Sequence, residues 1–384
     1  MTAGFDPELR LSTAEKGVIA CAEEFATEVL SVGAPDWETK KLYPVDAFQA
    51  AARLGLAGIL TPVDHGGAGM SMTGAARIIE TLASQCMAFT FAMVVHNNLA
   101  KAIAANGTAA QQEKYLPDML AARKMGAFLL TEPGAGTDAA NIECQAAPVD
   151  GGWRLNGEKA WVSNAVGAEV LSVYAQTDPS LGWKGIACFL VDASRDGVER
   201  LPAYDLVGGH ALGTGGFRFN DVELTPDDVM IPVGEAFKGA MSGINTARVF
   251  VGAMCSGMMR ASLDRAVEYT KSRAAFGQRV ADFQGIQWML ADVQTDLEAA
   301  RLLTYRGAAE IDDGETGMLA AAHAKKFATR AAMQRISDCA QVMGAQGAKT
   351  EEVTARHFTC TKLMQYMDGV TEVQNLVLSR ALFG

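Results

Sequence analysis

Asp368 opens the segment Asp368-Gly-Val-Thr-Glu372 and is the only acid between Thr354 and Thr371. A lone carboxylate beside a flexible glycine can take a proton from carbon if it is buried. Desolvation raises its pKa and makes it a stronger base near neutral pH. The same residues suit a helix N-cap, which needs no chemistry. Three other segments hold residues that could bind a flat or phosphorylated ligand. Leu130-Thr-Glu-Pro-Gly-Ala-Gly-Thr-Asp138 is a polar glycine-rich loop, able to bring backbone N–H groups close to a ligand or to be a plain turn. In Leu155-Asn-Gly-Glu-Lys-Ala-Trp-Val-Ser-Asn164, Trp161 and Ser163 offer a ring face and a hydroxyl to a heteroaromatic ring, or a cross-strand contact. In Ser272-Arg-Ala-Ala-Phe-Gly-Gln278, followed by Phe283-Gln284, Arg273 could clamp a pyrophosphate or pair with a helix C-terminus.

The elements that must position these residues fall into three regions: 1–122 helical, 123–233 a β domain and 234–384 a four-helix bundle. Alanine-rich helical segments are expected at 13–31, 46–55, 73–84, 88–105 and 109–122. The breaker Pro62-Val-Asp-His-Gly-Gly-Ala-Gly69 must be a loop. From Gly126 the helical period fades. Val149-Asp-Gly-Gly152 and Asn156-Gly157 read as hairpin turns, and 170–175, 186–191 and 217–224 as strands of a mainly antiparallel domain. The last region is expected to hold helices over 236–271, 283–312, 315–344 and 351–382. Ile286, Met289, Leu290, Val293, Leu297 and Ala300 form an apolar stripe on the second of these. Methionine and alanine in such stripes read as core filling. Alternating β-α units are absent, which argues against a doubly wound nucleotide-binding sheet.

Bulk properties narrow the function. The net charge of −11 argues against nucleic acid, and 49% apolar with 20% charged residues is an ordinary globular composition. Seven scattered cysteines without CxxC spacing read as reduced thiols in a cytoplasmic protein, and the histidines have no metal-ligand spacing. No signal peptide is evident over MTAGFDPELRLSTAEKG, and no uncharged apolar run is long enough for a membrane span.

In this order and spacing, the segments PVDHGGAG (62–69), LLTEPGAGTD (129–138), LNGEKAWVSN (155–164), SRAAFGQ (272–278), FQGIQWMLAD (283–292) and DGVTEVQ (368–374) resemble the acyl-CoA dehydrogenase family. The resemblance spans nearly the whole chain. It implies an N-terminal all-α domain, a middle antiparallel β-barrel and a C-terminal four-helix bundle, with FAD between the last two. Phe128, Leu130, Thr131, Gly136, Thr137, Trp161 and Ser163 would contact the flavin, with Trp161 packed on its ring and Ser163 bonded to its reactive edge. Arg273, Phe276, Phe283, Gln284, Gln341, Gly344 and Ala345 would reach the FAD of a neighbouring subunit in a homotetramer, a dimer of dimers. Val370 and Glu372 would adjoin the cofactor. Thr137, Asn245, Arg248 and Gly369 would face the CoA thioester. Electron-transfer flavoprotein would be the acceptor.

The resemblance also implies concerted chemistry, in which a carboxylate removes the α-proton while the β-hydrogen leaves as hydride to flavin. Most members place glutamate at Asp368. Some keep it beside the position of Arg248, where this chain has Ala247. Asp368 is therefore the matched base. Aspartate is shorter by roughly 1.5 Å, and a misplacement near 1 Å can cost on the order of 100-fold in rate. Aspartate here resembles dehydrogenases of alicyclic substrates such as cyclohexanecarboxyl-CoA, and also nitroalkane oxidases. Relatives that oxidise a cyclohexene ring at a more distant carbon use a second aspartate before the β domain. No acid occurs from Thr81 to Gln112, which favours simple α,β-oxidation, while the aspartate at 368 points by analogy to a cyclic or α-branched acyl group. A nitroalkane-type flavin oxidase, an acyl-carrier-protein or sulfinyl-thioester relative, and a non-catalytic thioester-binding relative are the alternatives. Thr359-Cys360 in place of the usual Arg-Asp pair, and Gly344-Ala345-Gln346 in place of a Gly-Gly run, motivate the last of these.

Overall fold

Capping signals and apolar stripes fold the chain's first region into helices. The computed structural model describes residues 10–384, so the start of the chain read for a signal peptide lies partly outside the described residues. Helix α1 (Thr13–Phe25) opens on a capping box in which Ser12 and Glu15 satisfy each other's backbone N–H. It runs through a π-turn (Ala26–Leu30) into α2 (Ser31–Thr39) and is followed by α3 (Val45–Arg53), α4 (Met72–Ala83), α5 (Met87–Asn106) and α6 (Ala109–Leu120). Among the described residues no helix is long and apolar enough to cross a membrane.

The middle region holds β1 (Met125–Leu129), β2 (Gln145–Val149), β3 (Gly152–Val162), β4 (Ala168–Gln176), β5 (Ile186–Asp192), β6 (Val198–Arg200), β7 (Gly215–Leu224) and β8 (Val229–Ile231). Their order is β6-β7-β3-β2-β4-β5-β8, with β1 beside β4. Two expectations need correction. The sheet does not close into a barrel: β6 and β8 end it unpaired with each other. Nor is it wholly antiparallel, because β1 and the start of β2 share one edge of β4 and both meet it in parallel. Asn156-Gly157 is not a turn but lies inside β3 at a register shift. Gly157 there has φ +136, and a Cβ would come 2.7 Å from the Cα of Cys144, so the bulge requires glycine. The Val149–Gly152 turn does join β2 to β3. β4 is buried on both faces: Val170 and Tyr174 pack toward α5 and α6, while Leu171, Val173 and Ala175 fill the sheet's own core.

The last region comprises α7 (Ala236–Ser272), a two-residue hairpin β9 (Ala274–Ala275) and β10 (Gln278–Arg279), then α8 (Gln284–Asp312), α9 (Met318–Met343), α10 (Val353–Tyr366) and α11 (Thr371–Phe383). The expected single helix over 351–382 is thus two helices. Asp368 (φ +52) and Gly369 (φ +91) both adopt the left-handed conformation, which no helix can continue. Both helical regions share one hydrophobic core, in which Phe48 stacks on Phe89 at 4.7 Å and Met254, Met258 and Met259 fill gaps as expected. Val293, Leu297 and Ala300 of the apolar stripe are fully buried in it.

Candidate active site

The break between α10 and α11 places Asp368 on a left-handed turn between the two helices. Asp368 does not cap α11: the N-cap position is Val370, with no side-chain bond, so the capping reading fails. One carboxylate oxygen, Oδ2, is buried without a hydrogen-bond partner. Burial pushes the Asp368 carboxyl up to about 6, against the pull of the nearby Lys325 and Arg248 cations. Those cations bond to the loop's backbone. Arg248 Nε donates to the Asp368 carbonyl at 3.1 Å and its Nη1 to Asn245 Oδ1 at 2.9 Å. Lys325 Nζ donates to the Gly369 carbonyl at 2.7 Å and to that of Gln365 at 3.3 Å. Gln374 Nε2 adds a further bond to the Gly369 carbonyl, at 3.0 Å. The turn is held by its carbonyls, and the carboxylate is left free to accept a proton.

The glycine-rich loop and the Trp161 segment are tied together by an ion pair. Lys159 is fully buried, and its Nζ donates to Glu132 Oε1 at 2.6 Å and to the Leu130 carbonyl at 2.9 Å. Glu132 accepts further bonds from the backbone N–H of Glu143 (2.6 Å) and Cys144 (3.0 Å). Ala160 N–H donates to the Thr131 carbonyl at 3.0 Å. The loop's fold therefore rests on Glu132 and Lys159, while Gly136 and Thr137 stay exposed and Thr131 half-buried. Beyond β3, buried Asn164 (φ +66) donates from Nδ2 to the carbonyls of Ala92 and Gly126 and accepts from Tyr43 Oη. It locks the end of the Trp161 segment to α5. Trp161 itself is 60% exposed at φ +57, with Tyr204 at 4.7 Å against one side. Phe128 packs on Tyr174 and Leu130 is buried beneath the loop.

The remaining expected contacts fall into three groups. Arg273 ends α7 and is exposed, while Phe276, 98% exposed, meets Phe283 edge-on at 6.3 Å beside exposed Gln284. Gln341 and Gly344 line a groove of about 640 Å³ together with Glu38, His210, Arg356 and Thr359, and Ala345 is exposed next to it. Thr359 of the unusual Thr359-Cys360 pair thus faces this groove, and Cys360 is buried. Val370 is half-buried and Glu372 exposed. Arg273, Phe276, Phe283 and Gln284 thus group at the α7–α8 connection, Gln341, Gly344 and Ala345 at the end of α9, and Val370 and Glu372 beside Asp368 at the start of α11.

Several residues escape sequence reading. Lys325 carries one signal, because Ala321, Ala328 and Ala332 place it on the buried face of α9. Glu132, Lys159 and Asn164 sit inside motifs that draw attention for their glycines and tryptophan. His96 is structural: Gly126 N–H donates to Nδ1, so Nε2 carries the proton given to the Met119 carbonyl, and burial pushes the ring down to about 4.

Family profiles for the acyl-CoA dehydrogenase N-terminal, middle and C-terminal domains match residues 12–123, 127–222 and 234–383. Isobutyryl-CoA dehydrogenase of Dictyostelium discoideum is 30% identical, covering 98% of this chain and 91% of its own. The chain belongs to the acyl-CoA dehydrogenase family. Cyclohex-1-ene-1-carbonyl-CoA dehydrogenase of Syntrophus aciditrophicus is 31% identical over 97% of this chain and 90% of its own length. The solved butyryl-CoA dehydrogenase of Megasphaera elsdenii superposes with a TM-score of 0.94 at 32% identity, covering 97% and 99% of the two chains. As an acyl-CoA dehydrogenase the protein is an FAD-dependent oxidoreductase.

The residues present fit that cofactor. A Cβ on Gly134 would meet nothing within 4 Å, and one on Gly136 only Thr131 Cγ2 at 3.9 Å. Protein packing therefore does not demand these glycines, and they leave the loop backbone open to a ligand. The exposed face of Trp161, two residues from Ser163, offers a ring-sized apolar surface beside a hydroxyl.

Proposed function

We propose that Asp368 is the general base in the α,β-dehydrogenation of an acyl-CoA whose acyl group is cyclic or α-branched, of the cyclohexanecarboxyl-CoA type. The observation that carries this reading is the buried, unpartnered Oδ2 on a turn whose neighbouring cations are engaged elsewhere. Such an oxygen has a proton affinity suited to abstraction near neutral pH. FAD, when bound, supplies the hydride acceptor. Thr131, Gly136, Thr137, Trp161 and Ser163 would hold it. Arg248 and Asn245 brace the turn at one side of the thioester site, and Gly369 lines it.

Similarity alone does not select the acyl group. Relatives named for branched, cyclic and linear substrates are equally close, at 30–32% identity. The choice rests on the short base. Aspartate reaches roughly 1.5 Å less far than glutamate, so it suits a substrate whose α-carbon is brought nearer by a bulky substituent. Asp368→Glu is expected to gain roughly ten-fold or more in anaerobic flavin bleaching by butyryl-CoA and to lose as much with cyclohexanecarboxyl-CoA. The opposite pattern across a panel of linear and cyclic thioesters removes the cyclic reading.

We assign residues 1–122, 123–233 and 234–384 as the functional units. The exposed Phe276, Trp288, Leu382 and Phe383 side chains support assembly as a homotetramer in which Arg273, Phe276, Phe283, Gln284, Gln341, Gly344 and Ala345 reach a neighbour's FAD. A solved neighbour described as "Electron transferring flavoprotein of Acidaminococcus fermentans: Towards a mechanism of flavin-based electron bifurcation" superposes with a TM-score of 0.94. That likeness supports electron-transfer flavoprotein as the acceptor. We place the reaction in the cytoplasm, where the seven free cysteines would stay reduced.

A further inference from the structure

Lys325 is a buried cation on α9. It sits on the helix's buried face, fully removed from water, where alanine fills the equivalent positions one turn away on either side. Packing does not require a cation there, and burying one carries a penalty that only specific partners offset. Its partners are two backbone carbonyls of the Asp368 turn, those of Gln365 and Gly369, and not the Asp368 carboxylate. The charge therefore lies one peptide from the carboxylate, oriented by the backbone and unable to collapse onto the acid as a direct ion pair.

We infer that Lys325 is a positioning residue for the dehydrogenation: its ammonium fastens the Gly369 carbonyl so that the left-handed Asp368–Gly369 turn aims the carboxylate, and its field keeps that carboxylate ionised without quenching it. The inference rests on the reading of Asp368 as base. A direct ion pair would satisfy the carboxylate and weaken it as a base. No cation at all would leave a buried acid protonated at working pH. The carbonyl-anchored lysine lies between those extremes.

The other charged or titratable groups around this pair are Arg248 and Cys255 on α7 and Glu372 on α11. Cys255 is pushed up to about 12 by burial and stays neutral. Arg248 braces the preceding carbonyl, so each of the two turn peptides has its own cation. Desolvation pulls Lys325 down to about 8, which leaves it charged through the range where Asp368 titrates.

The test is the pH profile, from pH 5 to 9, of anaerobic flavin reduction by an acyl-CoA that bleaches the wild-type holoenzyme. Lys325→Gln and Lys325→Met remove the charge, the first retaining hydrogen-bond donors, and Lys325→Arg keeps it. The acidic limb should move up by about one unit in both neutral variants. The rate would then fall roughly five-fold at pH 6 and stay within about two-fold at pH 9. Lys325→Arg should leave the limb in place. The limb is a ratio within each preparation, so reduced flavin loading or yield does not shift it. A limb that coincides with wild type in both neutral variants overturns the inference. Asp368→Asn, measured alongside, separates the two ideas. If it bleaches at the wild-type rate, the base assignment itself fails; if it is inert while the limb stays put, only the role of Lys325 is lost.

Discussion

Asp368→Asn keeps FAD and binds acyl-CoA, but its anaerobic bleaching slows by about 10²–10⁴-fold, the usual range for a lost general base. The amide has the size of the carboxyl and meets the same bed, so the turn held by Arg248, Lys325 and Gln374 should survive. The same variant carries a second, opposite effect. Asp368 holds its proton up to about 6 in the folded protein, against a value of 3.8 for the free side chain. With the folded pKa raised, the ionised group lowers stability above pH 6, and that cost vanishes below about pH 4. Asp368→Asn should therefore be more stable at pH 7, on the order of 3 kcal/mol, and should match wild type near pH 4. Loss of activity with a gain in melting temperature would mark a site that gives up stability for reactivity. Bleaching at the wild-type rate places the base elsewhere.

Lys159→Met should have the largest effect on stability. Removing one partner of a buried ion pair leaves the other charge stranded and typically costs about 3–5 kcal/mol. Here the stranded group is Glu132, held under the glycine-rich loop by Glu143 and Cys144 N–H. The loop carbonyl of Leu130 loses its donor at the same time. Melting temperature should drop, and purified protein should retain less FAD. Lys159→Met combined with Glu132→Gln should recover part of the loss, because the unpaired charge goes with its partner. A single variant that melts with wild type and retains a full complement of flavin would show that the pair does not hold the loop.

The three-region layout is legible because its signals are local: helix periods, glycine breakers and alternating strands each depend on neighbouring residues. Features that depend on tertiary geometry are not. The segment holding the α10–α11 break reads as one helix because Asp368 and Gly369 interrupt it only by adopting left-handed backbone angles. Gly157 reads as a turn because Asn-Gly is a turn pair, yet its missing side chain makes room for the Cys144 backbone in a bulge. The parallel pairings of the sheet arise where β1 and β2 share one edge of β4, between segments over twenty residues apart. In the site, Asp368 stands out as the lone acid of its stretch. Its bed does not, because Lys325 and Arg248 act on carbonyls whose direction no residue type reveals. Glu132 and Lys159 lie 27 positions apart, and only the fold makes them a pair.

The most direct measurement is stopped-flow flavin reduction of the wild-type holoenzyme by an acyl-CoA and its α-deuterated form, from pH 5 to 9. A short buried acid lifting hydrogen from the α-carbon requires a rate that rises with pH through about 6 and falls several-fold on deuteration. Reduction that ignores both the deuterium and the pH would contradict it.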